Sequence, residues 1–102
     1  MRAQKLDDAT ISARLAALPG WSLRDGKLRC VYRFADFSAA FAFMTRSALR
    51  AEQLDHHPEW FNVYNRVEIA LITHDAHGIT ALDFTLAEAM DGFARPLGST
   101  AG

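Results

Sequence analysis

Asp25-Gly26 stands between two runs that can pair as strands, and this dipeptide is the strongest single constraint in the chain. The tightest hairpin turns need positive φ at their central positions, which Gly adopts freely and Asp tolerates. The pair therefore predicts antiparallel pairing of residues 21–24 with residues 28–34. In the second run Leu28, Cys30, Tyr32 and Phe34 share one face, while Arg29, Val31 and Arg33 share the other. Such alternation predicts a sheet covered on one side and open on the other.

A second extended pair follows in "WFNVYNRVEIALITHD", with its turn at Tyr64-Asn65 and Asn65 expected to carry the positive φ. Val67, Ile69, Leu71 and Thr73 alternate there with Glu68, Ala70, Ile72 and His74. Three helices complete the pattern. Asp7 or Asp8 caps the first, which carries Ile11, Leu15 and Leu18 at helical spacing and ends at Pro19-Gly20. Asp36 caps the second, with Phe37, Phe41, Met44, Ala48 and Ala51 as the expected buried stripe. Pro58 prevents its continuation and pushes His57 towards extended backbone. Thr80 opens the third, with Asp83 completing a capping box, Ile79 and Phe84 as a staple, and Leu82, Leu86, Ala89, Met90 and Phe93 as its apolar face. The order α-β-β-α-β-β-α implies an α+β fold: a four-stranded antiparallel sheet with three helices on one face, as a single domain over residues 1–102.

A chain of 102 residues that is 50% hydrophobic can bury a core without disulfides. Its lone cysteine, Cys30, cannot pair within the chain, which fits a reducing cytoplasm. A net charge of −1 gives no general attraction to nucleic acid or membrane, and neither a signal peptide nor a transmembrane run is recognisable.

The chemistry concentrates in "AEQLDHHPEW". With a tight turn near Tyr64-Asn65, residues eight or nine places before it lie opposite residues eight or nine places after it. His56 and His57 are thereby brought to the same sheet end as His74, beside Trp60. Clustered imidazoles serve metal binding or proton transfer. Zinc wants four ligands, or three and a water, yet here the only thiol is expected within the sheet and two adjacent histidines chelate awkwardly. Imidazole titrates near ~6.5, so a cluster can hold a base and an acid together near neutrality. No serine or cysteine elbow, P-loop or dinucleotide fingerprint is present. His77, in "THDAHG", is expected to be exposed and incidental.

The segments "AEQLDHHPEWFNVYNRVEIAL" and "THDAHGITALDFTLAEAMD", with "LPGW" near the start, closely resemble the pterin-4a-carbinolamine dehydratases over nearly the whole chain. The resemblance implies the same three-helix, four-stranded fold. It also implies dehydration of 4a-hydroxytetrahydrobiopterin to quinonoid dihydrobiopterin, which regenerates the cofactor of aromatic amino acid hydroxylases, with no metal and no bound cofactor. By position, His56, His57 and His74 match the active-site histidines, with His57 and His74 expected to move protons. Pro58 and Trp60 match a pocket wall for the flat ring, and Thr73, His74, Asp75 and Ala76 match the segment facing its polar edge. Glu52 and Asp83 match acidic positions beside the site. Leu82 departs from relatives that carry a basic residue there.

Each assignment has a plainer counterpart: Asp83 as a helix cap, Glu52 as a solvated helix residue, Trp60 as core. Two other functions share the resemblance, namely a dimerisation cofactor of a homeodomain transcription factor and related pterin chemistry such as molybdopterin metabolism. The strand edges, with no spare segment to cover them, predict self-association. Relatives imply a homodimer or homotetramer, with no direct nucleic-acid or membrane contact.

Overall fold

Asp25 and Gly26 take φ of 53° and 76°, and the hairpin they close joins β1 (Ser22–Arg24) to β2 (Lys27–Arg33), with Arg24 opposite Lys27. The computed structural model describes residues 3–101. Before the hairpin comes α1 (Asp8–Leu15), capped by Asp7, whose side chain accepts from Thr10 N–H at 2.8 Å. After it come α2 (Phe37–Leu54), β3 (Glu59–Val63), β4 (Arg66–Leu71) and α3 (Ala81–Ala94). The sheet runs β1-β2-β4-β3, and its consecutive neighbours are antiparallel. Leu28↔Leu71, Cys30↔Ile69 and Tyr32↔Val67 face the helices and are buried, as the alternation required. No helix among the described residues is long and apolar enough to cross a membrane.

The class is as expected, but the strand count is not. A short β5 (Thr100–Ala101) pairs with Tyr32 and Arg33 of β2, making a fifth strand and covering two of the four residues of β2 that β1 leaves bare on that edge. The chain thus has a segment to spare for one edge after all. Two residues give no periodicity, so the sequence pattern could not announce it. Its approach depends on Gly20, where an added Cβ would lie 2.7 Å from Ala101 Cβ.

The second turn also differs in detail. Tyr64, not Asn65, takes the positive φ, at 48°. Asn65 is occupied elsewhere: its Nδ2 donates to Phe34 O at 2.9 Å, and its own carbonyl accepts from Phe34 N–H at 2.9 Å. Asn62 Nδ2 donates to the carbonyls of Tyr64 and Arg66, which holds the turn around the tyrosine. Two side-chain amides stand in for the backbone freedom that glycine would have supplied.

The phase of α2 is the largest correction. Ala40, Phe43, Ser47 and Ala51 are its buried residues, whereas Phe37 and Phe41 are 48% and 54% exposed and Ala48 also faces outward. Of the expected stripe only Ala51 is buried, with Met44 partly so. The physical reason is that α2 packs against α3, where small residues allow close approach, and needs only one aromatic to fill the core. Phe43 does this, 4.8 Å from Tyr32 and 5.2 Å from Phe34 between ring centroids. Reading the largest side chains as the buried ones shifts the stripe by one residue, about 100° around the helix. In α3, Leu86 and Met90 are buried as expected, together with Phe84, Ala87 and Ala94.

A polar tether crosses this core. Trp21 Nε1 donates to both Tyr32 Oη and Asp91 Oδ1, each at 3.1 Å, and the Tyr32 hydroxyl donates to the same Asp91 oxygen. Burial, and then the Asp91 carboxylate, push the Tyr32 phenol up, so it stays a donor.

Phe43→Ala should destabilise the fold by about 3–5 kcal/mol, because the ring is fully buried and its neighbours cannot collapse onto the void. Urea denaturation followed by circular dichroism checks this; a loss below about 1 kcal/mol would return α2 to the phase read from the sequence.

Candidate active site

The exit from α2 places the first imidazole. Asp55 takes a left-handed conformation (φ 49°) and His56 N–H donates back to Ala51 O at 3.0 Å, the long bond of a Schellman closure. Pro58 then leads into β3. Extending the Glu59↔Ala70 register by three residues sets His56 opposite Thr73, at the same end as His74. The convergence read from the hairpin is what the structure holds.

His56, His57, Thr73, His74 and Asp75 line one cleft of about 460 Å³, with Leu54, Asp55, Ile72 and Leu82 as further walls. Each imidazole presents Nε2 to a different carboxylate. His56 Nε2 is 2.6 Å from Asp83 Oδ1, His57 Nε2 is 2.7 Å from Glu52 Oε1, and His74 Nε2 is 3.3 Å from Glu59 Oε2. In each ring this arrangement puts a proton on Nε2 and leaves Nδ1 as the other exchangeable site.

The three pairs differ in burial, and burial decides what each can do. Asp83 is fully buried and His56 is 8% exposed. Asp83 Oδ2 accepts from Thr73 Oγ1 at 2.8 Å and from Thr80 N–H at 2.9 Å. Since Thr73 spends its hydroxyl proton on Asp83, Thr80 Oγ1 donates to Thr73 across 2.7 Å while accepting from Leu82 N–H. The capping box and the histidine support are therefore one carboxylate used on both oxygens: Asp83 caps α3 and holds His56, and it does not itself line the cleft. Breaking a buried pair of this kind typically costs about 3–5 kcal/mol.

The other two pairs are exposed. The side chains of His57 and Glu52 are 58% and 76% accessible, and such pairs contribute only about 0–1 kcal/mol. Their imidazoles are open to a molecule in the cleft. Glu59 is held below the ordinary carboxylate range by Lys27, 2.7 Å away, with His74 adding to the effect. Its pairing is thus present above the unfolded glutamate pKa and lost as pH falls through the lower folded value.

Several expected residues stand elsewhere. Trp60 pairs with Ile69 on the helix-facing side of the sheet and packs half-buried on the core, and it does not line the histidine cleft. Pro58 and Ala76 are half-buried and do not line it either. Glu52 reaches the cleft only through His57. Asp75 and Ala76 lie in a 3-10 turn (His74–Ala76) closed by a Thr73↔Gly78 bridge, which aims His74 and Asp75 into the cleft. His77, at φ 57°, is exposed and off the cleft. Glu59 was missed, although its place one residue before Trp60, on the face of Lys27 and Arg29, was available from strand alternation. A second cavity of about 480 Å³ lies on the open sheet face between Arg24, Arg29, Glu59, Phe61 and Glu68, and contains no imidazole.

The chain is similar over most of its length to proteins of one family. The family profile described as Pterin 4 alpha carbinolamine dehydratase matches residues 4–93. A protein of Novosphingobium aromaticivorans, named provisionally as a pterin-4-alpha-carbinolamine dehydratase, is 57% identical over 95 residues, covering 91% of this chain and 99% of its own. One of Rhizobium leguminosarum bv. trifolii, named in the same way, is 54% identical over 93 residues, covering 89% and 92%. A crystal structure from Brucella melitensis, described as a transcriptional coactivator/pterin dehydratase, superposes with a TM-score of 0.86 at 46% identity, covering 89% of this chain and 99% of that one.

Asp83→Asn gives a sharp test of the buried pair. An amide has only one acceptor oxygen, which the two donors at Oδ2 claim, so its NH₂ must face His56 Nε2. The His56 proton is then expected to move to Nδ1, read from ¹⁵N-histidine spectra, with stability lowered by about 1–3 kcal/mol. Retention of the Nε2–H form would show that Asp83 does not set the tautomer.

Proposed function

Because the chain belongs to the pterin carbinolamine dehydratase family, we propose that it dehydrates 4a-hydroxytetrahydropterins to quinonoid dihydropterins by histidine acid–base catalysis. The observation that carries the reading is the convergence of His57 and His74, exposed to one cleft and each paired through Nε2. In the reaction the C4a–O bond breaks, the leaving hydroxyl takes a proton and departs as water, N5 gives up its proton, and a C4a=N5 double bond forms. One acid and one base on the same small ring system are needed, and two cleft-lining imidazoles supply them. His56 serves differently: fixed by Asp83, it holds the cleft floor. Asp75 and the backbone around Thr73 offer polar groups to the edge of the pterin, and Ile72, Leu54 and Leu82 offer apolar surface to its face. Leu82 brings no charge to the rim, so a contact to an acidic substrate tail is not supported there. In this reading the protein recycles the pterin cofactor of aromatic hydroxylases in the cytoplasm, without a metal.

Self-association is part of the same proposal. Phe37 and Phe41 stack 5.6 Å apart on the exposed side of α2, where Leu49 is 64% exposed, and β3 forms a sheet edge with Phe61 and Val63 outward. These surfaces support a homodimer or homotetramer.

Quinonoid dihydropterin formation, followed by absorbance, should survive chelator treatment. Positioned acid–base groups are worth about 10²–10⁴ in rate, so His57→Ala and His74→Ala should each lower kcat/KM by at least tenfold, while His77→Ala leaves it within about twofold. Loss on chelation with recovery on zinc, or a His77 effect equal to that of His74, would defeat the mechanism. Phe41→Glu should reduce the solution mass measured by light scattering without changing the circular dichroism spectrum. A wild-type mass of 11.3 kDa, one chain, would remove the oligomer.

A further inference from the structure

His74 opens the 3-10 turn after β4 with its side chain 75% accessible, so little packing holds the ring. Its Nε2 meets Glu59 Oε2 at 3.3 Å, and the other oxygen of the same carboxylate, Oε1, takes Lys27 Nζ at 2.7 Å. Lys27 begins β2 and Glu59 begins β3, with β4 between them, and both side chains lie on the open sheet face. The chain Lys27–Glu59–His74 therefore runs over the end of the sheet and into the cleft. Glu59 also lines the open-face cavity, so it marks the boundary between the two depressions.

The geometry points to Glu59, anchored by Lys27, as the positioning residue of His74: it fixes the ring rotation and keeps the neutral imidazole protonated on Nε2, so that Nδ1 is the nitrogen offered to substrate. This rests on the dehydratase reading and assigns it an atom. An exposed imidazole without a partner samples several rotamers and both tautomers, and only a fraction of these is productive. A carboxylate accepting from one nitrogen selects a tautomer and an orientation together. A lone glutamate would wander as well, and Lys27 removes that freedom. The other charged or titratable groups around His74 are Asp75 beside it and Asp55, His56 and His57 on the cleft walls. Among the described residues, Glu59 is the carboxylate that stands within ion-pairing distance of His74. The lowered Glu59 pKa, due first to the Lys27 hydrogen bond, keeps it an acceptor through the neutral range. The exposed pairs add little to folding stability, so positioning is what the arrangement supplies.

The test reads tautomer and turnover separately. In ¹⁵N-histidine spectra of the intact protein, His74 should be mainly Nε2–H, and Glu59→Ala should spread the proton over both nitrogens. With 4a-hydroxytetrahydropterin as substrate, Glu59→Ala should lower kcat by about tenfold while KM stays within about twofold. Glu59→Gln leaves a single acceptor oxygen, which the Lys27 ammonium claims, so its NH₂ should face His74 Nε2 and move the ring proton to Nδ1, with kcat no better than in Glu59→Ala. Lys27→Met, which keeps the carboxylate, should fall between the wild type and Glu59→Ala. An unchanged His74 tautomer in Glu59→Ala, or an Nε2–H form kept in Glu59→Gln, overturns the inference even if the wild type is a good dehydratase. Tautomers that shift as expected in a wild-type protein without turnover would support the pairing and sink the dehydratase reading instead.

Discussion

The carboxylate of Asp83 is the point on which the rest of this molecule turns. It is fully buried and accepts from the Thr80 backbone, the Thr73 hydroxyl and His56. These three donors come from the start of α3, the end of β4 and the exit of α2, so one side chain fixes the mutual position of three elements. A buried carboxylate is costly unless its lone pairs are filled. Here they are filled by donors that the fold must bring together, which makes the site's geometry and the fold's integrity the same requirement.

From that fixed centre the histidines grade outward. His56 is rigid because its partner is buried, while His57 and His74 rest on carboxylates at the surface. The interior pair ties α2 to α3, and the two surface pairs add little to stability. All three partners meet Nε2, so the nitrogen left for chemistry is the same in each ring. His56 and His57 are adjacent in sequence and line the same cleft, yet one meets the buried Asp83 and the other the exposed Glu52.

The same economy appears at the surfaces. α2 uses small residues where it meets α3 and one phenylalanine in the core, and its other aromatics are left outside. The sheet keeps an apolar face under the helices and a face of mixed charge opposite. A two-residue strand closes half of one edge, and β3 remains an outer strand. An exposed edge and an apolar helix stripe thus remain on the surface of one small chain.

The sequence by itself determined three helices and four of the five strands, their order and the meeting of the histidines. Asp25-Gly26 and the strand alternation set the hairpins, Asp36 and Thr80 set the helix starts, and counting from the Tyr64-Asn65 turn brought His56, His57 and His74 to one end. These are local signals with fixed periods, so they can be read along a line. Only the tertiary structure decided which face of α2 is buried, because that depends on how closely α3 approaches and not on which side chains are largest. It alone revealed that Tyr64 takes the strained turn position, since Asn65 is committed to Phe34 across the sheet. The same holds for Trp60 as core, for β5, and for the Lys27–Glu59–His74 relay, each of which rests on a contact between segments far apart in sequence. Which carboxylate supports which imidazole is a matter of a few ångströms across three elements, and no spacing in one dimension encodes it.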